Sequence, residues 1–383
     1  MNRKITVEQA FALIESKRLS RASEIVSVVQ ALGRNLAEDL YAPIALPPFH
    51  NSAVDGYALG SLASDFDVVA TVGAGDVFAG CLAPDQACRI MTGALIPEGS
   101  KAIAMQEYVR AYGARIHVEN FPSENDHVRF AGEDVDVGAL VAKTGTRIGA
   151  AQIGLFSALG ISEIRVCRKP SIAIVSTGSE LVDPGNPLSH GQVYYCTGPM
   201  LQAQAEGAGA CVLSVQKIHD DEQAIISGLK NALAADIIIT VGGMADGEFD
   251  YGRSSLAAVG VEPVFFEGMW RPGKPLFFGT LGEKLIFGLP GNPVAAFVMF
   301  RLFVETAISQ CNPEWSYAPI VGRKPKATDK AQFLRARKLK EGLELVAGQG
   351  SHQLFNLAQS DAIVWVPAGE SMSEEYAFVS VET

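Results

Sequence analysis

The chain has 383 residues, of which 48% are hydrophobic and 19% charged, a balance that is typical of folded globular proteins and excludes a disordered chain. At roughly 150 residues per domain, this length predicts two or three domains. The formal net charge is −11, from 31 Lys and Arg against 42 Asp and Glu. We therefore expect no nucleic-acid partner, because duplex binding depends on Lys and Arg that neutralise phosphates. An anionic ligand would need a local basic pocket.

The cysteines and the apolar runs bear on the location of the protein. The six cysteines are scattered and none forms a Cys-x-x-Cys pair, which favours a reduced, cytoplasmic protein without a disulfide scaffold. The apolar run 293–300 ends at Arg301 and is far shorter than the roughly 20 residues that cross a bilayer. Glu8 and Glu15 interrupt any apolar segment near the N-terminus, so we expect neither a signal peptide nor a membrane partner.

The first half of the chain changes its pattern twice. Apolar residues at helical spacing over 7–31 predict one or two amphipathic helices, and a proline-rich hinge follows at 41–48. From there to about residue 138, short apolar runs alternate with Gly, Pro and Asp turns, which predicts a small β-rich domain. Its clearest strands are expected at 67–72, 87–91, 102–105 and 115–118. A helix at 149–159 then makes the β-rich piece an insertion into a helical domain.

The second half begins at Lys169 with alternating strands and helices, which predict a mostly parallel, three-layer α/β domain. Strands are expected at 171–176, 210–215, 236–241 and 284–289, and helices at 199–206, 222–234, 251–259 and 292–309. After Pro313 the alternation stops, and strands at 335–346, 363–366 and 376–381 predict a small β-domain.

We therefore predict a multidomain α/β protein with four domains. They are a helical linker domain (1–46 and 139–168), an inserted β-rich lid domain (47–138), the α/β domain (169–312) and a C-terminal β-domain (313–383).

Four turns of the α/β domain have the composition of a ligand site. They are Ser176-Thr-Gly-Ser-Glu180, the glycine-rich loop 242–250, Arg271-Pro-Gly-Lys-Pro275 and Leu289-Pro-Gly-Asn-Pro293. Ligands of parallel sheets bind at the carboxyl ends of the strands, where glycine-rich turns offer N–H groups to a phosphate. A tight turn alone explains any one of them, since turns favour these residues. Four in one domain favour a shared anion site, with Arg271 and Lys274 as its cations.

These turns and three polar strings upstream resemble the MoeA family, the molybdopterin molybdenumtransferases that include the E domains of gephyrin and its plant counterpart. The upstream strings are Asn51-Ser-Ala-Val-Asp-Gly-Tyr-Ala58, Arg89-Ile-Met-Thr-Gly-Ala94 and Gly132-Glu-Asp-Val135, and the first turn extends to Leu181. The resemblance covers nearly the whole chain. It implies an elongated homodimer of four-domain subunits, with an α/β domain of the molybdopterin-binding type. It also implies insertion of molybdate into adenylylated molybdopterin with release of AMP, and it allows molybdopterin adenylyltransferase and apo-molybdoenzymes as partners.

The resemblance also implies site residues. Its catalytic positions are Asp55, Thr92, Asp134, Glu180 and Asp250, with Asp55 and Thr92 closing over the site from the partner subunit. Its substrate-binding positions are Ser176, Thr177, Gly178, Gly242, Gly243, Gly247, Arg271, Lys274, Pro290, Gly291, Asn292, Pro293, Arg335 and Ser351. Cleavage of a phosphoanhydride needs Mg²⁺ to neutralise the developing charge, and the candidate holders are Glu180, Asp221 and Asp250.

The residue types suit an oxyanion substrate. Molybdate needs N–H donors and cations, not thiolates or imidazoles, which agrees with the absence of a Cys or His cluster from the sequence. In the family, the basic turn that contains Arg271 and Lys274 lies beside the molybdate site. Arg335 and Ser351 match, more weakly, positions that also contact molybdate.

The chain departs from the family pattern at four places. Tyr195-Cys-Thr197 stands where the family usually has Asp-Ser-Asn, Ala245 replaces a serine, His50 replaces Asp, and Arg271 replaces Lys. Three hypotheses therefore stand: a molybdenum insertase, a divergent non-catalytic molybdopterin-binding protein or scaffold, and a nucleotide or pyrophosphate hydrolase related only through the α/β domain.

Overall fold

The structure is a computed structural model, and it describes residues 4–17, 19, 22–243 and 251–381. The chain divides into two compact units. One, the α/β unit, comprises residues up to 22 together with those from 168 onward; the other, the β-rich unit, comprises 23–167. Within the described ranges, no helix combines the length and the apolar character that crossing a bilayer would require.

The α/β unit contains a six-stranded sheet. Its spatial order is Cys211–Ile218, Ser171–Thr177, Ile237–Val241, Lys284–Leu289, Phe277–Leu281 and Glu262–Phe265. The first four strands are parallel and the last two are antiparallel additions. Ile237–Val241 is buried along its whole length, as expected for a parallel strand that is covered on both faces.

Two hydrophobic cores lie on opposite faces of this sheet. Ile172 and Ile174 face one core, whereas Ala173 and Val175 face the other, because alternate residues of a strand point to opposite sides. The helices are Val7–Glu15, Thr197–Gly207, Glu222–Ala232, Gly252–Ala258 and Pro293–Met299, and the last continues through a π-helical segment, Phe300–Val304, into Glu305–Ser309. The predicted three-layer, mostly parallel arrangement is confirmed.

A second sheet of the α/β unit is formed mainly by the C-terminal residues. Its order is Ser316–Ala318, Tyr376–Ser380, Ala362–Val366, Ala331–Leu339, Gly342–Leu345 and Ile320–Val321. Trp270–Arg271 pairs in parallel with the start of Ala331–Leu339. In place of the single strand predicted at 335–346 there are two, Ala331–Leu339 and Gly342–Leu345, which form an antiparallel pair. A short helix, Leu354–Ala358, and a parallel pair, Leu181–Val182 with Val193–Tyr194, complete the unit.

The β-rich unit is built on a six-stranded sheet. Its order is Ala102–Met105, Gly56–Leu59, Gln86–Ile90, Asp65–Val72, Arg115–Val118 and Val109–Tyr112. The four strands predicted here are confirmed to within two residues. Three short antiparallel pairs join Ser23–Ser27 to Glu163–Cys167, Leu40–Tyr41 to Leu140–Ala142, and Asn51–Ser52 to Val128–Arg129. The helix is Ala150–Ala158, and 3₁₀ turns occur at Val28–Ala31 and Gln106–Tyr108.

Of the helix predicted over 7–31, the described residues show an α-helix at Val7–Glu15 and a 3₁₀ turn at Val28–Ala31. Ser23–Ser27 is instead a strand, since the β-branched Ile25 and Val26 suit an extended chain. It pairs with Glu163–Cys167, a strand that lies far away in the sequence. The helix Val7–Glu15 packs in the α/β unit, where the rings of Phe11 and Phe303 lie 5.0 Å apart. The four predicted domain boundaries remain predictions.

Candidate functional site

Three of the four predicted turns line one cleft of about 770 Å³ at the carboxyl ends of the parallel strands. We call it the strand-end cleft. Its lining residues include Ser176, Thr177, Gly178, Glu180, Tyr195, Thr197, Asp220, Gly242, Gly243, Gly291, Asn292 and Pro293. The turns meet because Ser171–Thr177, Ile237–Val241 and Lys284–Leu289 are parallel neighbours, so that their last residues share one edge. Pro290, which directly precedes Gly291 in the chain, is buried.

Gly242 shows why this edge needs a glycine. Its φ of 88° lies in the left-handed region, which is strained for other residues. A Cβ atom at position 242 would lie 2.8 Å from the Oγ1 atom of Thr177. The chain therefore turns directly against the neighbouring strand and leaves the cleft open above it.

The strand-end cleft offers an anion no cationic side chain among the described residues. Among the described residues that line it, none is Lys or Arg. Two helices begin at its wall, one at Thr197 and one at Pro293. The positive dipole end of a helix favours a phosphate or another oxyanion, although Pro293 has no N–H and Val294 donates its own to the carbonyl of Ser351.

The acidic residues of the cleft differ in part from those predicted. Glu180 and Asp220 line the cleft. Asp221 is instead the N-cap of the helix Glu222–Ala232, where its Oδ1 accepts a hydrogen bond from the N–H of Ala224 at 2.9 Å. Asp220 was not singled out from the sequence, because two adjacent aspartates give no sign of which one caps the helix.

A second cleft of about 590 Å³, which we call the basic cleft, lies between the Arg271 turn and the C-terminal sheet. Its cations are Arg271, Arg323, Lys324 and Lys326, and none of the described residues that line it is acidic. The Nη2 atom of Arg271 donates to Gln332 Oε1 at 2.8 Å. The pairing of Trp270–Arg271 with Ala331–Leu339 carries the guanidinium to this cleft.

Arg323, Lys324 and Lys326 were also missed by the sequence analysis. The signal that could have found them is the compact basic run Arg323-Lys-Pro-Lys326, which follows a glycine. A run of this kind is usually a solvated surface, so only its position beside Arg271 in the folded chain makes it part of a candidate site.

The predicted C-terminal site residues have different surroundings. Ser351 lines the basic cleft, and its carbonyl oxygen accepts a hydrogen bond from the N–H of Val294 at 3.2 Å. Arg335 is 1% exposed, and its guanidinium donates to Gln349 Oε1 and to the carbonyls of Gly348, Gly350 and Gln353. Burial lowers the pKa of Arg335. Its hydrogen bonds thus hold the loop that lines the basic cleft.

Lys274 lies in neither cleft. It lines a different pocket together with Lys4 and Phe266, where its Nζ atom is 3.3 Å from Glu267 Oε2. The expectation of one shared cationic site therefore needs correction. Arg271 and Lys274 are three residues apart on a turn, and they point to different sides of it.

The β-rich unit brings two predicted residues into contact. Asp55 Oδ1 accepts hydrogen bonds from the backbone N–H of Thr92 at 2.7 Å and from its hydroxyl at 2.8 Å. These two bonds lower the pKa of the exposed Asp55 carboxyl. Asp134 is exposed in the loop after Val128–Arg129, and His50 nearby accepts through Nδ1 from the N–H of Ala131 at 2.9 Å. Gly247, Asp250 and Ala245 lie outside the described residues.

Comparison with known proteins finds similar proteins over most of the chain. Residues 5–160 match the family described as the MoeA N-terminal region (domain I and II), and residues 173–310 match the probable molybdopterin binding domain. A molybdopterin molybdenumtransferase from Staphylococcus aureus (strain COL) is 32% identical over 95% of this chain and 92% of its own length. A molybdopterin molybdenumtransferase from Staphylococcus epidermidis is 29% identical, again over 95% of this chain and 92% of its own length. The chain belongs to the MoeA family of molybdopterin molybdenumtransferases.

A solved structure of a MoeA-family protein agrees with this assignment. The molybdopterin biosynthesis MoeA protein from Pyrococcus horikosii superposes with a TM-score of 0.84 at 28% identity, covering 99% of this chain and all of that one. The family resemblance inferred from the sequence is thereby confirmed. In this MoeA-family chain the departing residue Tyr195 lies in the strand-end cleft, 6% exposed.

Proposed function

We propose that this protein is a molybdenum insertase of molybdenum cofactor biosynthesis, which inserts molybdate into adenylylated molybdopterin with Mg²⁺-dependent release of AMP. One observation carries the proposal: two clefts of different charge character adjoin one turn. Gly291, Asn292 and Pro293 line the strand-end cleft, and the next residue, Val294, donates its N–H to Ser351 of the basic cleft. The reaction requires two anions, a phosphoanhydride and an oxyanion, side by side.

The strand-end cleft suits the phosphoanhydride. The N–H groups of Gly178 and Gly242 already donate to the carbonyls of Ile218 and Leu289. The glycine-rich turns also bring the backbone N–H of Gly243 to the cleft, and the hydroxyl group of Ser176 adds a neutral donor. About 770 Å³ is within the range of clefts that hold ligands of drug size or larger. In this proposal the cleft holds the diphosphate in a fixed orientation, and the helix N-termini stabilise charge that develops on its oxygens.

The basic cleft suits molybdate. Arg271 offers a planar guanidinium, which hydrogen bonds an oxyanion through two donors, and Gln332 fixes it from behind at 2.8 Å. The ammonium of Lys324 is held by the carbonyl of Ile320, while Arg323 and Lys326 are exposed at the rim. The cluster would raise the local concentration of a divalent anion around an otherwise acidic protein.

Magnesium fits the strand-end cleft through few protein ligands. The described residues contain no group of three or more His, Cys, Asp or Glu side chains that could hold a metal ion. Mg²⁺ in phosphate-transferring sites is commonly held by one or two carboxylates together with substrate phosphates and water, so a larger cluster is not required. Glu180 and Asp220 are the described acids that would hold it. The ion would neutralise charge on the phosphates.

The family resemblance supplies the rest of the proposal. It includes a homodimer, a cytoplasmic location, catalytic roles for Asp55, Thr92 and Asp134, and exchange with a molybdopterin adenylyltransferase and apo-molybdoenzymes. The Asp55–Thr92 hydrogen bonds support a joint role for those two residues, since they fix an ionised carboxylate at an exposed position.

The direct test incubates the pure protein with adenylylated molybdopterin, molybdate and Mg²⁺ and follows AMP by chromatography. We expect AMP only when all three are present. A protein that leaves the anhydride intact would reject the insertase proposal. Glu180→Gln should lower AMP release strongly, whereas Glu283→Gln, at an exposed turn outside both clefts, should not change it.

A second candidate is a non-catalytic molybdopterin-binding protein on the same fold. Tyr195 favours it, because a buried tyrosine stands where the family has an acidic residue. That candidate predicts tight binding of adenylylated molybdopterin without AMP release, and some recovery of activity in Ala245→Ser. Cleavage of simple dinucleotides in the absence of pterin would instead favour a hydrolase.

A further inference from the structure

Tyr195 is held rigidly at the floor of the strand-end cleft. The parallel pair Leu181–Val182 and Val193–Tyr194 ends directly before it, and its N–H donates to the carbonyl of Val182 at 2.8 Å. The ammonium of Lys217 lies 5.9 Å from the centre of its ring and pairs with Asp183 at 2.8 Å. The ring is thus fixed by backbone bonds on one side and by an ion pair on the other.

The helix that follows makes room for this ring at one position. Gly198 lies in the first turn of the helix Thr197–Gly207, where a glycine is otherwise unfavourable. A Cβ atom at position 198 would collide with the hydroxyl oxygen of Tyr195. The φ angle of Gly198 is not in the left-handed region, so close approach of the tyrosine is the reason for the glycine. Tyr195 and Gly198 are therefore a matched pair.

The hydroxyl of Tyr195 ends against a serine of the central sheet. Its Oη atom donates a hydrogen bond to Ser176 Oγ at 2.9 Å, and Ser176 is 1% exposed at the end of Ser171–Thr177. Burial raises the pKa of Tyr195, so the phenol keeps its proton at neutral pH and acts as the donor. A hydroxyl that accepts such a bond keeps its own proton to donate, and the bond polarises it.

We infer that Tyr195 is a positioning residue, which orients the Ser176 hydroxyl as a hydrogen-bond donor to a phosphoryl oxygen of the ligand in the strand-end cleft. This inference rests on the proposed function only in placing a phosphoanhydride there. The chain thus offers the anhydride a pair of linked neutral hydroxyls where the family pattern has a carboxylate. Tyr195 acts through Ser176 and need not touch the ligand.

The test is a double-mutant cycle on the affinity for adenylylated molybdopterin, measured by isothermal titration with Mg²⁺ and without molybdate. Tyr195→Phe removes one oxygen and keeps the ring, so we expect Kd to rise about three- to tenfold with the melting temperature nearly unchanged. Ser176→Ala should raise Kd by a similar factor. In the Ser176→Ala protein, Tyr195→Phe should add less than about twofold, because the two residues act as one unit.

Two controls keep the outcome decisive. Tyr317→Phe changes a tyrosine that is 64% exposed in the C-terminal sheet, and it should leave Kd unchanged. Gly198→Ala displaces the Tyr195 hydroxyl by a different route, and it should raise Kd like Tyr195→Phe.

The outcomes separate the inference from the proposal on which it rests. A parent protein that does not bind adenylylated molybdopterin overturns both. A parent that binds it with the same Kd as Tyr195→Phe overturns the inference alone. Independent, multiplying effects of Tyr195→Phe and Ser176→Ala would also overturn it, since Tyr195 would then act without Ser176.

Discussion

The two ends of the central parallel strands gather polar residues in different ways. At the amino end, Asp236 accepts hydrogen bonds from the N–H and hydroxyl of Ser171 and, through both of its carboxylate oxygens, from the Nη2 atom of Arg168, at 2.6–2.9 Å. At the carboxyl end, Ser176, Gly242 and Asn292 face an open cleft. The amino-end groups satisfy one another, so they stabilise the fold and leave nothing for a ligand.

A structural polar cluster and a binding site differ in how much of their hydrogen-bonding capacity the protein itself uses. Both ends bring polar groups together, and what differs is whether donors remain that no group of the protein uses. By the same criterion Arg335 is structural and Arg271 is available to a ligand, although both are arginines beside the basic cleft.

Arg335→Ala should be the most destabilising change. It leaves several buried carbonyl groups without a donor, and we expect a loss of about 4 kcal/mol in the free energy of unfolding. Arg337→Ala, on the same strand but exposed, should cost less than about 1 kcal/mol. Urea unfolding followed by circular dichroism measures both. Equal losses for the two arginines would contradict the criterion.

Asp236→Asn should cost about 2 kcal/mol at pH 7, because it weakens the bonds to Ser171 and Arg168. Burial raises the pKa of Asp236, but the hydrogen bonds from Ser171 and the guanidinium of Arg168 outweigh it and hold the pKa below its usual value. The contribution is therefore complete above the unfolded-state value of about 4 and disappears as the pH falls through the folded-state value.

The pH dependence of Asp236→Asn is checked by thermal unfolding from pH 7 to pH 2.5. The gap between parent and variant should shrink as the pH falls below about 4. Asp329→Asn, at an exposed position, should show a gap below about 0.5 kcal/mol. A gap that widens in acid would show that Asp236 prefers its protonated form in the folded protein.

Gly198→Ala should lower the free energy of unfolding by about 2 kcal/mol, because the new methyl group collides with the Tyr195 hydroxyl. The same change made in Tyr195→Ala should be neutral or stabilising, since alanine is the better helix former by about 1 kcal/mol. Differential scanning calorimetry on the four proteins measures this. A penalty that persists without the tyrosine would show that Gly198 has another role.

Arg271→Ala should raise the KM for molybdate about tenfold, which corresponds to about 1.4 kcal/mol. Lys274→Ala should raise it less than about twofold, because Lys274 faces Glu267 outside the basic cleft. AMP release at varied molybdate measures both values, and added salt should weaken the parent more than Arg271→Ala. A larger effect at Lys274 would restore the single shared site that the sequence suggested.

Much of the fold was predictable because the signal is local. The apolar runs that became Ile237–Val241 and Lys284–Leu289, and the long helix from Pro293, show their type in their own residues. The strand Ser23–Ser27 was not predictable in this way. Its partner is more than a hundred residues away, and its apolar spacing also fits a helix.

The turns of the site were predictable from the sequence, whereas the division of its residues between two clefts was not. Glycine-rich turns at the ends of parallel strands must share an edge, so Ser176, Gly242 and Gly291 could be placed together. Arg271 belongs to the basic cleft because it pairs with the strand Ala331–Leu339, and no local pattern reports that pairing. The choice of Asp220 over Asp221 depends on which side chain caps a helix.

The decisive measurement is the position of the bound phosphoanhydride. Diffraction data from crystals soaked with adenylylated molybdopterin would show it. We predict that the diphosphate lies in the strand-end cleft, within hydrogen-bond distance of Ser176 Oγ and the N–H group of Gly243. A diphosphate seated in the basic cleft among Arg323, Lys324 and Lys326 would contradict it.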